Sequence, residues 1–397
     1  MLDTRIAKEL AYISQAGLAR RITELYFVNP AQAQDRTGKT YLVLASNNYL
    51  GFTHAPEVIE AASRAALKFG TGSSGSRLTT GGTFIASELE KRLADFKHSE
   101  SALVFNTGYM TNLGILYGLL QTGDVVFSDE LNHASIIDGC RISRCKVVVY
   151  KHNDMADLQR LLETEIVTGQ RFIVTDGVFS MDGDIADLPS LAVLKKQFNA
   201  CLIVDDAHGV GVIGNDGSGT ASHYGLTDVI DLQVGTLSKA LAAEGGYVAG
   251  KKILIDYLIN RSRPFIFSTA LAPATLAAAN AALLLLQTQA SKYLDSLRAN
   301  SRLMRRLLLE GGLNVVEGIT PIIPVVIGEA GLTMQFADRL KSKGILVSGI
   351  RPPTVPRGES RLRITVTAAH CEEQLRQAAQ IITALWQELK HGEKKEG

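Results

Sequence analysis

Three side chains capable of acid–base chemistry follow two apolar stretches of the chain. Asp205 and His208 come directly after the apolar run 201–204, and Lys239 follows the largely apolar run 229–234 and two hydroxyl residues. A lysine at a strand end can form a Schiff base with the aldehyde of pyridoxal phosphate, and hydroxyls before it can reach the phosphate. A carboxylate can keep the pyridine nitrogen protonated, and an imidazole can donate near the phenolic oxygen. The sequence therefore predicts a pyridoxal phosphate enzyme, against the alternative of a solvated lysine.

A candidate phosphate site lies where a predicted strand, 101–105, turns into a predicted helix at 106–112. Free amides at a helix start bind anions, and glycine lets an anion approach closely. The turn 106–112, together with Thr236, is therefore the candidate phosphate site. Every strand-to-helix turn has some of these features, so the prediction depends on the lysine lying nearby.

Two further polar residues each have a functional and a structural interpretation. His133 can lie flat against a cofactor ring, or it can cap the helix predicted after it. Ser180 ends a third apolar run and can donate to the phenolic oxygen, or it can be an ordinary turn serine. The residues alone leave both alternatives open.

Two strings have the spacing G-x-G-x-x-G, which in other contexts binds dinucleotides. Residues 70–75 follow a predicted helix, and residues 209–214 follow a strand but continue into a glycine-rich loop. A dinucleotide fingerprint needs a strand, a turn and a helix in that order, with an acid about 20 residues later. The sequence therefore disfavours a dehydrogenase.

Arg361 and Arg363 alternate with apolar residues in a predicted strand, so both point to the same face. An arginine aimed into a site can bind an amino-acid carboxylate through two parallel hydrogen bonds. The structural alternative is that both side chains face water.

The composition is that of an ordinary globular protein. Of its 397 residues 46% are hydrophobic and 20% are charged, and a formal net charge of +1 indicates neither a nucleic-acid nor a membrane surface. The apolar segment 271–286 contains Pro273 and Asn280, which favours a buried helix over a membrane span. The four cysteines lack metal-ligand or disulfide-framework spacing, so no metal site is expected, and the N-terminus lacks the layout of a signal peptide. We therefore expect a cytoplasmic protein.

Strand-length apolar runs alternate with helical stretches through most of the chain, which is typical of an α/β fold with a mostly parallel sheet and flanking helices. These runs begin near residues 103, 125, 147, 172, 202, 232 and 247. Ligands of such sheets bind beyond the carboxyl ends of the strands, where the polar residues described above fall.

The remaining pattern predicts three domains. Helical spacing covers about residues 4–26, 56–69, 292–309 and 373–389, and two further apolar runs of strand length cover 322–327 and 362–366. The predicted domains are an N-terminal helical arm, a large cofactor-binding domain and a small α+β C-terminal domain, with bounds 1–45, 46–290 and 291–397.

The chain resembles the α-oxoamine synthases over about residues 40–385. The segments that carry the resemblance are 46–51, 72–77, 132–135, 182–184, 204–209 and 236–239. These enzymes use pyridoxal phosphate to join an amino acid to an acyl thioester with loss of carbon dioxide. The resemblance implies the pyridoxal phosphate transferase fold of type I and a homodimer with shared active sites.

The resemblance also implies a role for each site residue. Lys239 carries the cofactor and removes the Cα proton, Asp205 binds the ring nitrogen and His133 stacks on the ring. Ser180 and His208 bind the phenolic oxygen. The implied phosphate contacts are Gly108, Tyr109, Thr236 and, from the second subunit, Ser268 and Thr269. The implied contacts of the amino acid are Asn47 and Arg363. The implied contacts of the acyl substrate are Thr354 and Arg21, with Arg20 as the alternative to Arg21.

Within this family, segments 350–356, 361–363 and 367–370 are similar to members that condense L-alanine with a pimeloyl thioester in biotin synthesis. The thioester carrier is either coenzyme A or an acyl carrier protein. The alternatives are a glycine C-acetyltransferase with the same cofactor chemistry, an aminotransferase and a non-catalytic scaffold subunit. The scaffold is disfavoured because such chains typically lose the Schiff-base lysine, whereas this chain has Lys239, Asp205 and His208.

Overall fold

The computed structural model describes residues 1–15, 17–20 and 22–396, with side chains up to residue 390. Its strands are β1 (Tyr26–Asn29), β2 (Gln32–Gln34), β3 (Thr40–Val43), β4 (Ser101–Phe105), β5 (Val125–Asp129), β6 (Lys146–Tyr150), β7 (Arg171–Asp176), β8 (Ala200–Asp205), β9 (Leu232–Thr236), β10 (Gly246–Gly250), β11 (Ile322–Gly328), β12 (Ile345–Leu346), β13 (Ser348–Ile350) and β14 (Ser360–Thr365).

The helices cover most of the sequence between these strands. They are α1 (Leu2–Gln15), α2 (Pro56–Phe69), α3 (Phe84–Phe96), α4 (Gly108–Leu119), α5 (Ala134–Ser143), α6 (Met155–Thr164), α7 (Leu188–Phe198), α8 (Thr220–His223), α9 (Lys252–Arg261), α10 (Arg263–Ile266), α11 (Pro273–Glu310), α12 (Ala330–Ser342) and α13 (Glu372–Glu396), with a short 3₁₀ helix at Phe52–His54.

A seven-stranded sheet in the order β4-β10-β9-β8-β7-β5-β6 forms the centre of the fold. Strand β10 is antiparallel to both of its neighbours, and the other strands run parallel. Each of the seven apolar runs predicted from the sequence is a strand of this sheet, so the predicted fold class is confirmed.

Side chains on the two faces of the sheet enter two different apolar cores. In β7, Phe172 and Val174 pack with α4 residues such as Leu116, whereas Ile173 packs with α7 residues such as Leu191. Successive side chains of a strand point to opposite faces, so this alternation shows helices covering both sides. Polar groups that must meet a ligand are therefore confined to the edge where the strands end.

Two small sheets complete the fold. Strands β11, β14 and β13 form an antiparallel sheet in the C-terminal region. Strand β12 of the same region pairs in parallel with β3, so that the arm strand is bonded to the C-terminal part of the chain. The predicted domain division at residues 45 and 290 stays a prediction.

The apolar segment 271–286 forms the first half of the long helix α11. Leu283 and Leu286 are fully buried in a core shared with α2 and α3, as predicted for a buried helix. The φ and ψ angles of Gln289, −133° and 28°, interrupt the helix before its charged half begins. None of the described helices combines the length and the apolar character that crossing a membrane requires.

The prediction of a helix over residues 4–26 was wrong in its second half. Helix α1 ends at Gln15, Gly17 has a positive φ of 66°, and the described residues between Gly17 and β1 belong to no helix or strand. No side chain of α1 is buried, so packing does not extend the helix beyond the glycine. The predicted helix 56–69 agrees with α2 at both ends.

A buried ion pair anchors the end of β8. The ammonium of Lys97, at the end of α3, donates to Asp206 Oδ2 at 3.1 Å, and both side chains are inaccessible to solvent. The backbone N–H and the hydroxyl of Thr220 also donate to Asp206, each at 2.9 Å. Since a buried charge must be paired and hydrogen-bonded, these contacts fix the chain where β8 leaves the sheet.

Candidate active site

A cavity of about 230 Å³ opens at the carboxyl ends of the parallel strands. It brings together eight of the residues predicted from the sequence, which are Gly108, Tyr109, His133, Ser180, Asp205, His208, Thr236 and Lys239. It also contains residues that the sequence did not single out, among them Asn112 and Asp176. The cavity lies where an α/β sheet is expected to bind its ligand.

Lys239 lies three residues beyond the end of β9. Its Nζ is 2.9 Å from Nε2 of His208. Burial lowers the pKa of the Lys239 ammonium to about 8, although Asp205 and Asp176 oppose the shift. A lysine with this pKa has a substantial neutral fraction near pH 8, so it can act both as a nucleophile and as a base.

His208 is held between two polar groups in a buried position. The hydroxyl of Tyr49 is 2.6 Å from its Nδ1, on the side opposite Lys239. Burial lowers the pKa of His208 well below its usual value, and the positive charges of Lys239 and Arg363 lower it further. The imidazole is therefore neutral at physiological pH and carries one N–H.

The carboxylate of Asp205 is fixed at the last position of β8. Asn112 Nδ2 donates to Oδ2 at 2.6 Å, and the Ala207 N–H donates to Oδ1 at 3.0 Å. Asn112 itself is held by Ser135 Oγ at 2.9 Å. A carboxylate in this fixed position can pair with a protonated ring nitrogen.

Asp176 is a second acid of the cavity, and the sequence analysis missed it. It ends β7 in direct register with Asp205 on β8, and the His133 N–H donates to its Oδ2 at 3.1 Å. Burial and the negative charge of Asp205 raise the pKa of Asp176 well above its usual value. The signal was available, because an acid that ends an apolar run beside another such run falls at the same edge of the sheet.

His133 caps a helix, as one of its two interpretations predicted, and it also lines the cavity, while its stacking on a cofactor ring stays a prediction. It is the N-cap of α5, and its Nδ1 accepts from the Ser135 N–H at 3.3 Å and lies 2.8 Å from Ser135 Oγ. Its ring also lines the cavity. The cap thus orients an imidazole that can contact a bound ring.

The turn before α4 has the features of a phosphate site. Thr107 caps the helix by accepting from the Met110 N–H at 3.0 Å, which leaves Gly108 at the first helical position. A Cβ at residue 108 would lie 3.4 Å from the Thr236 side chain, whose Oγ1 is 2.7 Å from Ser238 Oγ. Together with the helix N-terminus, these hydroxyls suit the phosphate of pyridoxal phosphate.

Arg363 lies beside the cavity and is almost fully buried, so the alternative that it faces water was wrong. Its Nε donates to the Ser180 carbonyl, its Nη1 to Thr365 Oγ1 at 3.0 Å and its Nη2 to Asn47 Oδ1 at 3.2 Å. All of these partners are neutral. The neighbouring Arg361 is buried as well, but it pairs with the carboxylates of Asp182 and Glu359.

Five further predicted residues do not line the cavity or lie outside the described part of the chain. Thr354 and Arg20 line a separate groove of about 780 Å³ between the arm and segment 349–354. Thr269 forms an isolated bridge with Ser76, and its carbonyl accepts from Asn106 Nδ2 at 2.8 Å. Neither it nor Ser268 lines the cavity of its own chain. Arg21 lies outside the described residues.

One protein family, curated relatives and solved structures match most of this chain. The family described as aminotransferase class I and II matches residues 39–382. An 8-amino-7-oxononanoate synthase of Lysinibacillus sphaericus is 47% identical over 94% of this chain and 96% of its own length. One of Trichlorobacter lovleyi is 50% identical over 89% and 90%. A solved structure of SPT with its pyridoxal phosphate internal aldimine superposes with a TM-score of 0.92 at 32% identity, covering 97% of both chains.

The chain belongs to the α-oxoamine synthases. The resemblance found in the sequence is thereby confirmed, as are the type I fold and pyridoxal phosphate as the cofactor. The cavity fits this cofactor, because an amine, a fixed carboxylate, a neutral imidazole and a helix N-terminus surround a single space. Tyr49 and Asn112 were assigned no role from the sequence, although they lie within segments 46–51 and 106–112, which the sequence did single out.

The lowered pKa of Lys239 predicts how the cofactor-free protein captures pyridoxal phosphate. Only the neutral amine attacks an aldehyde, and its fraction reaches one half at about pH 8 instead of the ordinary value of 10.5. We expect the capture rate, followed by the absorbance of the bound cofactor, to rise with pH and to level off above about pH 8. A Lys239→Arg variant should show no capture. A rate that still rises beyond pH 10 would contradict the assigned pKa.

Proposed function

We propose that this protein condenses L-alanine with a pimeloyl thioester to give 8-amino-7-oxononanoate, carbon dioxide and the free thiol, as a step of biotin synthesis in the cytoplasm. The observation that carries the proposal is the buried Lys239–His208–Asp205 cluster in a chain about half identical to 8-amino-7-oxononanoate synthases over nearly its full length. The four cysteines are free, as is usual in a reducing compartment.

The chemistry divides among the residues of the cavity. Bound pyridoxal phosphate would supply an aldehyde for Schiff-base formation and a ring that accepts electrons. Lys239 would hold it covalently and, once freed by the substrate amine, would remove the proton from the alanine Cα. Asp205 would keep the ring nitrogen protonated, while His133 would lie against the ring.

The polar rim of the cavity would bind the remaining groups of the cofactor. Ser180 and His208, which line the cavity in the turns after β7 and β8, would hydrogen-bond the phenolic oxygen. Gly108, Tyr109 and Thr236 would bind the phosphate at the start of α4. Tyr109 Oη also donates to Asp138, which orients the tyrosine ring at the mouth of the cavity.

Arg363 is the proposed site of the alanine carboxylate. In the part of the chain that the structure describes, no carboxylate pairs with its guanidinium, so its positive charge is not compensated. A buried arginine with neutral partners favours an anionic ligand, and the hydrogen bond from Nη2 to Asn47 Oδ1 helps to fix the guanidinium. We infer that the carboxylate of the amino acid supplies the missing charge until it leaves as carbon dioxide.

The acyl substrate is assigned to the groove that contains Thr354. This groove is lined by apolar side chains such as Leu10 and Met334 and by the basic residues Arg20 and Arg351. Apolar walls suit a methylene chain, and guanidinium groups suit its terminal carboxylate or the phosphates of a thioester carrier. Coenzyme A and an acyl carrier protein both satisfy this chemistry.

We propose that the protein forms a homodimer through the surface near the cavity. Segments 70–83 and 268–271 are bonded to each other through Ser76 and Thr269. Large apolar side chains at their ends are exposed, with Phe84 at 92% and Phe267 at 70%. We infer that these exposed apolar side chains lie in a subunit interface, which would let Ser268 and Thr269 reach the phosphate of a second subunit.

The proposed reaction is tested by product analysis on the purified, cofactor-loaded protein. L-alanine with pimeloyl-CoA should give the decarboxylated amino ketone, detected by mass spectrometry, and glycine with acetyl-CoA should give none. A Lys239→Ala variant should lose all turnover, whereas Lys252→Ala, which changes an exposed lysine, should not. Product from glycine and acetyl-CoA alone would favour a glycine C-acetyltransferase, and formation of the amine form of the cofactor with alanine alone would favour an aminotransferase.

The two arginines of β14 provide a matched pair of variants. Arg363→Lys keeps the charge but loses the two parallel hydrogen bonds that a guanidinium makes to a carboxylate, so we expect the KM for alanine to rise about tenfold or more. Arg361→Lys should leave that KM near the wild-type value, because Arg361 binds protein carboxylates. Steady-state kinetics at saturating thioester measure both. An equal rise in both variants would remove Arg363 from the alanine site.

A further inference from the structure

The hydroxyl of Tyr49 is the partner of His208 on the side away from the cavity. Tyr49 is fully buried, and its Oη lies 2.6 Å from His208 Nδ1 and 3.3 Å from Asn47 Oδ1. On the other side of the imidazole, Nε2 is 2.9 Å from Lys239 Nζ. The ring of His208 therefore lies between a hydroxyl and the reactive amine.

This arrangement links the tautomer of His208 to the direction of the tyrosine hydroxyl. Burial raises the pKa of Tyr49, although the positive charge of Arg363 opposes the shift. Burial and then the charges of Lys239, Arg363 and His133 lower the pKa of His208, so the pair is neutral and the imidazole carries one proton. If Tyr49 donates to Nδ1, that proton must be on Nε2, which then presents a donor to the cavity. If the ammonium of Lys239 donates to Nε2, the imidazole proton is on Nδ1, and the Tyr49 hydroxyl accepts a hydrogen bond from Nδ1–H.

The hydroxyl satisfies both states of the imidazole without moving. When Tyr49 accepts from Nδ1–H, its own proton can be donated to Asn47 Oδ1. A hydroxyl both donates and accepts, whereas an apolar ring in its place would leave Nδ1 without a partner in a buried position. Tyr49 thus has a chemical reason to be a tyrosine beyond filling the core.

We propose that Tyr49 is a positioning residue that donates to Nδ1 of His208 once the cofactor is bound, and so supports the tautomer that holds Nε2–H toward the phenolic oxygen of the cofactor. This inference rests on the proposed function, because it assigns His208 to that oxygen. A donor at the phenolic oxygen stabilises the negative charge of that oxygen. The oxygen then attracts the proton on the Lys239 Schiff-base nitrogen less strongly, so the pKa of that nitrogen is lower. Loss of the donor therefore raises the pH at which that nitrogen releases its proton.

The test is the pH titration of the absorption of the bound cofactor in Tyr49→Phe. We expect its midpoint to move upward by about 0.3–1 pH unit, the size of one lost hydrogen bond. Tyr247→Phe is the matched control, because Tyr247 is equally buried in the same core and its hydroxyl has no partner among the described residues. Its midpoint should equal that of the wild type.

A second measurement needs no variant of Tyr49. Nitrogen NMR of ¹⁵N-histidine in the loaded wild-type protein, with His208 assigned by the loss of its signals in His208→Asn, should show the Nε2–H tautomer. An Nδ1–H tautomer, or an unchanged titration in Tyr49→Phe with the cofactor still attached at Lys239, would overturn this inference and leave the proposed function intact. A wild-type protein that does not attach pyridoxal phosphate at all would overturn both.

Discussion

The site depends on ionisable groups held close together and away from water at the ends of two neighbouring strands. Asp176 and Asp205 end β7 and β8 in register, and Lys239 provides the positive charge that faces them. Burial shifts each equilibrium toward the neutral form, so the pKa of Lys239 falls and that of Asp176 rises. The result is a lysine that is partly unprotonated near neutral pH, which is the property that Schiff-base chemistry requires.

The rest of the structure keeps these groups from relaxing into other pairings. Asn112 fixes Asp205, and the Lys97–Asp206 pair anchors the next residue along the chain. Without its own partner, the carboxylate of Asp206 would be a buried charge next to the catalytic one, which is expected to cost several kcal/mol. The two adjacent aspartates therefore have different roles, because one anchors the chain and the other faces the cavity.

The sequence was sufficient for the large sheet and for most of the cavity, because apolar runs mark strands and the residues that follow them meet at one edge. It was insufficient where a contact joins distant segments. Tyr49 reaches His208 across 159 positions, and Asn112 reaches Asp205 across 93. The helix predicted over 4–26 was wrong beyond Gln15, because helical spacing without burial does not maintain a helix.

The central claim is that Lys239 carries the cofactor, and the most direct test is to trap the bond itself. The loaded protein would be treated with borohydride, which reduces a Schiff base to a stable secondary amine, then digested and analysed by peptide mass spectrometry. The structure predicts that the pyridoxyl mass is found on the peptide containing Lys239 in stoichiometric amount. Its appearance on another lysine, or on none, would contradict the role assigned to Lys239.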